Sequence, residues 1–402
     1  MKLWKTKQLH LPLLLIILGS LALSLLLPFQ VNAKDTDGKE VNWKERQSNE
    51  LKTDQVETYW DSLMKEYGGF FPDQQLPSFK DMLIKEGQGF DLKSVFSGLM
   101  KYMWHEVLYN GHILVTIILL CVFSMILETL QTAFERKQVS KVAYSICYMV
   151  ILVLAINSFH VAISYASSAI KAMVDFMVAM VPLLFMLLAS MGNVVTVTIT
   201  HPFVVFMVHT VGTLVHTIIF PLLFFSVLLH IVSSLSDRYK VDRLADLLKT
   251  VSMGLLGVLL TVFLGVISVR GFTGSVTDGV TLRAAKYLTG NFVPVVGKLF
   301  ADATDTVVSA SLLVKNSVGI VGVIILLFLC AFPAIKILIL ALIFNLAAAV
   351  LQPLGDSPIL TCLETIGKSM VYVFAALAAV AMMFFLAITI MLTAGNITVM
   401  MR

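Results

Sequence analysis

From residue 113 onward the chain reads as apolar stretches separated by short polar breaks: 113–131, 142–167, 176–199, 203–232, 250–272, 317–350 and 369–394. About 20 apolar residues suffice to cross a bilayer as a helix, so each stretch is a candidate span. The pattern ahead of them is different. Between 51 and 67, Leu51, Val56, Trp60, Leu63, Met64 and Tyr67 recur at helical spacing with charges between them. Gly68-Gly69 and Phe71-Pro72 stop that helix. A second amphipathic stretch from Phe79 to Glu86 ends at Gly87, and a third from Leu92 to Tyr109 leads into the first span. These patterns predict an all-α, polytopic membrane protein that begins with a small helical polar domain, residues 34–110.

The N-terminus has the layout of an export signal. Lys2, Lys5 and Lys7 form a basic start, residues 11–29 an apolar core, and Val31-Asn32-Ala33 a small-residue cleavage site. Residues 1–33 are therefore expected to be a cleaved signal peptide, with an uncleaved anchor as the other reading. Both put residues 34–110 outside the cytoplasm.

Composition agrees with the pattern. Hydrophobic residues are 58% and charged residues 13% of 402, a ratio that excludes an ordinary soluble domain of this size. The net charge of +4 hides a division. Residues 34–110 hold 10 Lys/Arg and 14 Asp/Glu, so the positive excess belongs to the membrane part, where basic loops mark the cytoplasmic side. Cys121, Cys147, Cys330 and Cys362 are scattered without a CxxC pair and read as small buried hydrophobes.

Two basic loops set a topological problem. Arg136, Lys137 and Lys141 belong in the cytoplasm, and so does the 237–249 loop with four basic and three acidic residues. Counting every stretch as a full span puts them on opposite sides. The conflict disappears if 176–199, interrupted by Pro182, Gly192 and Asn193, is re-entrant or interfacial.

Spacing also suggests an internal repeat. Pro182 and Pro221 are 39 residues apart, as are Pro294 and Pro333, and Leu235, Asp237, Leu244 and Lys249 match Leu354, Asp356, Leu363 and Lys368. The expected organisation is two spans at 111–170, a first membrane unit at 171–272 and a second within 273–402. Pro182, Pro221, Pro294 and Pro333 are then candidate hinges or breaks, and such breaks at matching places point to a pathway between repeats. Lys336, just past Pro333, either snorkels to an interface or faces a pore.

The second unit contains the candidate functional stripe. Taken as one helix, Asn291, Lys298, Asp302, Asp305, Ser309 and Asn316 return to one face, with Lys286 and Lys315 at the margins of the block. An interfacial amphipathic helix satisfies this pattern. A polar wall toward a water-filled cavity or another subunit satisfies it equally.

The block "DGVTLRAAKYLTGNFVPVVGKLFADATDTVVSASLLVKNSVGIVGVIIL", with "FPAIKILILAL" and "LQPLGD" after it, resembles the stage III sporulation protein AE family of endospore-forming bacteria. The resemblance runs from about Trp60 to the C-terminus. It implies a multi-pass protein of the mother-cell membrane around the forespore, part of a secretion-like channel complex needed for forespore development and late gene activation. It also implies partners: an ATPase and ring-forming proteins; self-association is a separate expectation. Membrane lipid is an expected partner, and nucleic acid is not.

No catalytic residues or cofactors are expected. The sequence has no phosphate loop, HExxH or GxSxG. His209, His216 and His230 share a face, but no carboxylate lies on their segment to complete a relay or metal site, so packing or interhelical hydrogen bonding is their expected role. Gly254, Gly257, Gly265, Gly319 and Gly322 are spaced for close helix approach. A self-sufficient secondary transporter built from the two repeats is the competing function.

Overall fold

The computed structural model describes residues 53–71, 79, 82, 92–133, 137–235, 240–292, 296–354 and 358–400, all within the unit Trp43–Arg402. The expected signal peptide and residues 34–52 lie outside the described residues. Among those described, every regular element is helical: α1 (Asp54–Tyr67), α2 (Leu92–Ala133), α3 (Lys137–Ser190), α4 (Val194–Leu214), a π turn (Val215–Ile219), α5 (Phe220–Leu235), α6 (Asp242–Phe292), α7 (Val296–Leu351) and α8 (Pro358–Met400).

Six of the described helices are long and apolar enough to cross a membrane, with α4, the π turn and α5 counted as one: 93–124, 145–190, 194–234, 242–284, 308–351 and 358–396. The protein is a multi-pass membrane protein. Seven sequence stretches become six helices because 142–167 and the first part of 176–199 are one helix, α3. Pro182 sits inside it without ending it, and a tightly packed bundle tolerates the missing donor. The re-entrant reading of 176–199 is thereby corrected: the chain reverses at Met191–Asn193, after α3 and before α4. Gly192 makes that turn at φ 88°, a conformation costly for residues with a Cβ. Pro333 likewise lies inside α7. Pro221 follows the π turn, whose wider ring absorbs the hydrogen bond that proline cannot donate. Pro294 lies outside the described residues.

Successive long helices run antiparallel, and side-chain pairs fix their register. Tyr148 Oη and Ser234 Oγ are 3.2 Å apart at one end of the α3–α5 pair, and the Phe185 and His201 rings are 5.5 Å apart toward the other. Ser226 Oγ donates to Ala245 O over 2.7 Å between α5 and α6. The end of α2 and start of α3, the end of α5 and start of α6, and the end of α7 and start of α8 therefore lie at one end of the bundle, and the turn 191–193, the end of α6 and the start of α7 at the other. Lys137, Lys141, Lys240, Arg243, Lys249 and Lys368 all belong to the first end, so the described basic residues beside both breaks share a side without any re-entrant segment.

The boundary expected at 110 falls inside α2, which runs unbroken from 92 to 133. α1 is no detached cap either. Val56, Trp60 and Leu63 are buried, and ring pairs dock the helix on the middle of the bundle: Tyr67 stacks on Phe332 at 3.9 Å, Trp60 lies 6.3 Å from Phe328, and Tyr59 meets Phe176 edge-on at 5.6 Å. Burial, followed by the neighbouring Glu66, pushes the Tyr67 phenol above its usual range. Gly319 and Gly322 face side chains of α8 and α3 closely, whereas Gly254, Gly257 and Gly265 face open space. Close helix approach thus accounts for two of those five glycines.

Candidate functional site

Three buried polar nodes interrupt the apolar bundle, and a fourth, partly exposed one lies near one end. An apolar core gives a charged or amide group no water, so such a group persists only with partners. In each node the partner comes from another helix.

The first node joins α2, α3 and α7. Lys336 Nζ lies 3.4 Å from Glu106 Oε1, with only 19% and 7% of the two side chains exposed. The ammonium also sits over the Tyr165 ring, 4.2 Å from its centroid, which favours a cation by the ring quadrupole. Glu106 Oε2 accepts from Asn110 Nδ2 at 2.8 Å. Lys336 therefore has a protein counter-charge rather than lying alone in the apolar run. It is held inside the protein by a carboxylate from the start of α2, level with Tyr102, whose ring meets Phe332 at 5.0 Å.

The second node contains Lys315, which is 0% exposed. Its ammonium donates to Leu392 O at 2.7 Å and to Asn396 Oδ1 at 2.8 Å, tying the early part of α7 to the end of α8. Gly395 makes room for it: a Cβ there would lie 2.5 Å from Lys315 Nζ and 2.6 Å from Leu188 Cδ2. One turn away, Ser190 Oγ donates to Ser311 Oγ at 3.1 Å and adds α3 to the node.

The third node is the turn between α3 and α4. Asp278 of α6, 2% exposed, accepts from Val195 N at 3.0 Å and Thr196 N at 2.9 Å. These are orphan donors of a helix N-terminus, and a carboxylate there satisfies both the hydrogen bonds and the helix dipole. The cap comes from a residue about 80 positions away. Gly274, one turn before Asp278, has no side chain to collide with Thr196, whose Cα would lie 3.0 Å from a Cβ at that site.

The fourth node lies at the opposite end, where His230 Nε2 approaches Asp246 at 3.6 Å and Lys249 stands over the Tyr372 ring at 5.7 Å. His216 Nδ1 shares a 2.6 Å hydrogen bond with Ser167 Oγ, and His209 is exposed. The three histidines do not converge, and the described residues contain no group of His, Cys, Asp or Glu that could hold a metal ion.

The expected stripe is divided. Lys286 and Asn291 belong to α6, and Lys298, Asp302, Asp305 and Lys315 to α7. Two helices, separated at the sequence by Pro294, replace the single helix on which one common face was built. The side chains of Lys286, Asn291, Lys298, Asp302 and Asp305 lie outside the described residues. Of the six, Lys315 has a described environment, and it is buried while Ser309 is exposed and Asn316 half-buried.

Glu106, Asp278 and Asn396 escaped the sequence reading. The signal for Glu106 was Lys336 itself, because a lone cation in an apolar run needs a counter-charge. The signal for Asp278 was the Gly192-Asn193 break, because a new helix N-terminus inside a bundle needs an acceptor.

Comparison with known proteins agrees with the resemblance of the sequence block. The family model for stage III sporulation protein AE matches residues 75–395. The stage III sporulation protein AE of Bacillus subtilis (strain 168) is 53% identical over 358 residues, which cover 89% of this chain and 90% of that protein. No solved structure matches.

Proposed function

The chain belongs to the stage III sporulation protein AE family, and from that premise we propose that it is a non-enzymatic membrane component of a secretion-like channel complex between mother cell and forespore. Its role is in sporulation. In this reading it sits in the mother-cell membrane around the forespore with its N-terminal region outside the cytoplasm. It assembles with an ATPase, ring-forming proteins and further copies of itself, and it supports forespore development and late gene activation.

The observation that carries the reading is the family match across most of a bundle of six long apolar helices. A second support is chemical. In the first three nodes Glu106, Lys315 and Asp278 are engaged in helix-to-helix contacts, as expected of a scaffold. The proposed orientation is supported by Lys137, Lys141, Lys240, Arg243, Lys249 and Lys368 at one end of the bundle, since basic residues beside spans favour the cytoplasm.

A transporter with a broken-helix site would leave a helix N-terminus open to an anionic substrate. Here Asp278 fills the N-terminus of α4, which weighs against that alternative.

Replacement of the gene in an endospore former tests the reading. Loss of the chain is expected to stop forespore development with late forespore genes silent, and the intact chain to restore both. Normal spores without it would overturn the proposal.

A further inference from the structure

The long helices exceed one bilayer. Spans of 39 to 46 residues measure about 60–70 Å at ~1.5 Å per residue, against a hydrocarbon core of about 30 Å. α6 indicates where the bilayer meets its own side of the bundle. Between Lys249 and Arg270 it has twenty residues without a charge, one core thickness, and Val251, Val258, Val262 and Val269 on this stretch are exposed.

Register carries that height across the bundle. Ser252 Oγ donates to Ile219 O at 3.2 Å, and the Arg270 guanidinium stands 5.2 Å from the Phe203 ring, so 250–269 lies level with about 203–221. The His216–Ser167 bond and the Phe185–His201 ring pair then carry this height onto α3 between about 163 and 183. Val262 falls within about one helical turn of the height of Asp175.

At this height the two sides differ. The continuous stretch 194–235 has no Asp, Glu, Lys or Arg. On α3, Lys171 and Asp175 are exposed one turn apart. α1 covers the same level through its contacts with Phe176 and Phe328, and its outer face exposes Asp54, Asp61, Lys65 and Glu66. Lys101 and His105 of α2 are exposed beside it. Charges at bilayer depth seldom face lipid, and their usual surrounding is water or protein. The charge-free part of α2, residues 107–127, begins where Glu106 meets Lys336, so the charged belt ends at that pair.

We propose that the face made by α1 and the middle of α3 is the wall of a water-filled vestibule that reaches half-way along the bundle, while the α6 face at the same height meets lipid. Its contents are water and hydrated polar solutes. The helix that lines it is the amphipathic α1, anchored by Trp60 and Tyr67 and turned with its carboxylates outward. The vestibule is a property of this chain and stands independently of the sporulation partners.

Single cysteines at Asp61→Cys, Asp175→Cys and Val262→Cys, in the full chain in membrane fragments open to both sides, test it with a charged, membrane-impermeant thiol reagent. The unsubstituted chain sets the background from its four native cysteines. All three positions are exposed in the fold, so the substitutions leave the core intact. Positions 61 and 175 are expected to label at least about tenfold faster than 262, by the exclusion of charged reagents from hydrocarbon. Labelling of 175 as slow as that of 262 would overturn the proposal, because lipid or protein would then cover the belt. Equally fast labelling of all three would also overturn it, because that height would then lie outside the bilayer.

Discussion

Lys336 of α7 and Glu106 of α2 meet 3.4 Å apart half-way along the apolar bundle. The carboxylate stands at the last turn of the polar N-terminal region and the ammonium three residues past Pro333. The pair therefore ties the N-terminal helices to the longest described helix. α1 closes over the same spot through Tyr67 on Phe332.

Breaking such a pair from one side leaves a buried charge and costs about 3–5 kcal/mol, whereas removing both partners is far milder. Lys336→Met and Glu106→Gln are each expected to lower the thermal stability of the detergent-purified chain, and the double variant to recover most of the loss. A loss in the double variant equal to the sum of the two single losses would mean that the groups do not interact.

Asp278 caps α4 from another helix, so its loss frees two N–H groups together, that of Thr196 buried and that of Val195 half-buried. Unsatisfied buried donors cost about 1–3 kcal/mol each. Asp278→Ala is expected to destabilise the α3–α4 turn strongly, with Asp278→Asn in between because its amide oxygen still accepts one bond. Hydrogen exchange at Val195 and Thr196 is the readout, and protection unchanged from the parent would contradict the cap.

The seat of Lys315 depends on the missing side chain of Gly395. Gly395→Ala places a methyl group against the ammonium and Leu188, and overpacking of this kind costs about 1–3 kcal/mol. Disulfide trapping between cysteines on α7 and α8 near this node is expected to slow in the variant. An unchanged trapping rate would show that the helices do not approach as closely as the Lys315–Asn396 bond requires.

Six crossings put Lys240 and Lys368 at the same end of the bundle. Lys240→Cys and Lys368→Cys are both exposed sites and are expected to resist impermeant thiol reagents in intact cells and to react after lysis. Labelling of one from outside and the other from inside would refute the antiparallel order of α6, α7 and α8.

The helical class and the apolar lengths were legible because lipid leaves few alternatives for a backbone that must satisfy its own hydrogen bonds. The amphipathic period of α1 was legible as well, since Val56, Trp60 and Leu63 are the residues it buries. Its location was not, because periodicity identifies a buried face without naming what covers it. The turn at Gly192-Asn193 was correctly singled out as a break, while Pro182 was overweighted: proline marks a weak point that packing can override. Lys336 drew notice as a charge in an apolar run, yet Glu106 lies 230 positions earlier, and a single sequence carries no pairing information over that separation. Asp278 and Asn396 were hidden in the same way. The stripe from 286 to 315 assumed one helix across Pro294, and that assumption determined its face.

Affinity purification of the chain from sporulating cells, in native membranes and without crosslinker, addresses the proposed role most directly. Recovery in a fixed ratio with an ATPase and ring-forming proteins is the expected result, together with no solute uptake by the chain alone in liposomes. Recovery of the chain by itself, with coupled uptake of a small solute after reconstitution, would contradict the channel-component account.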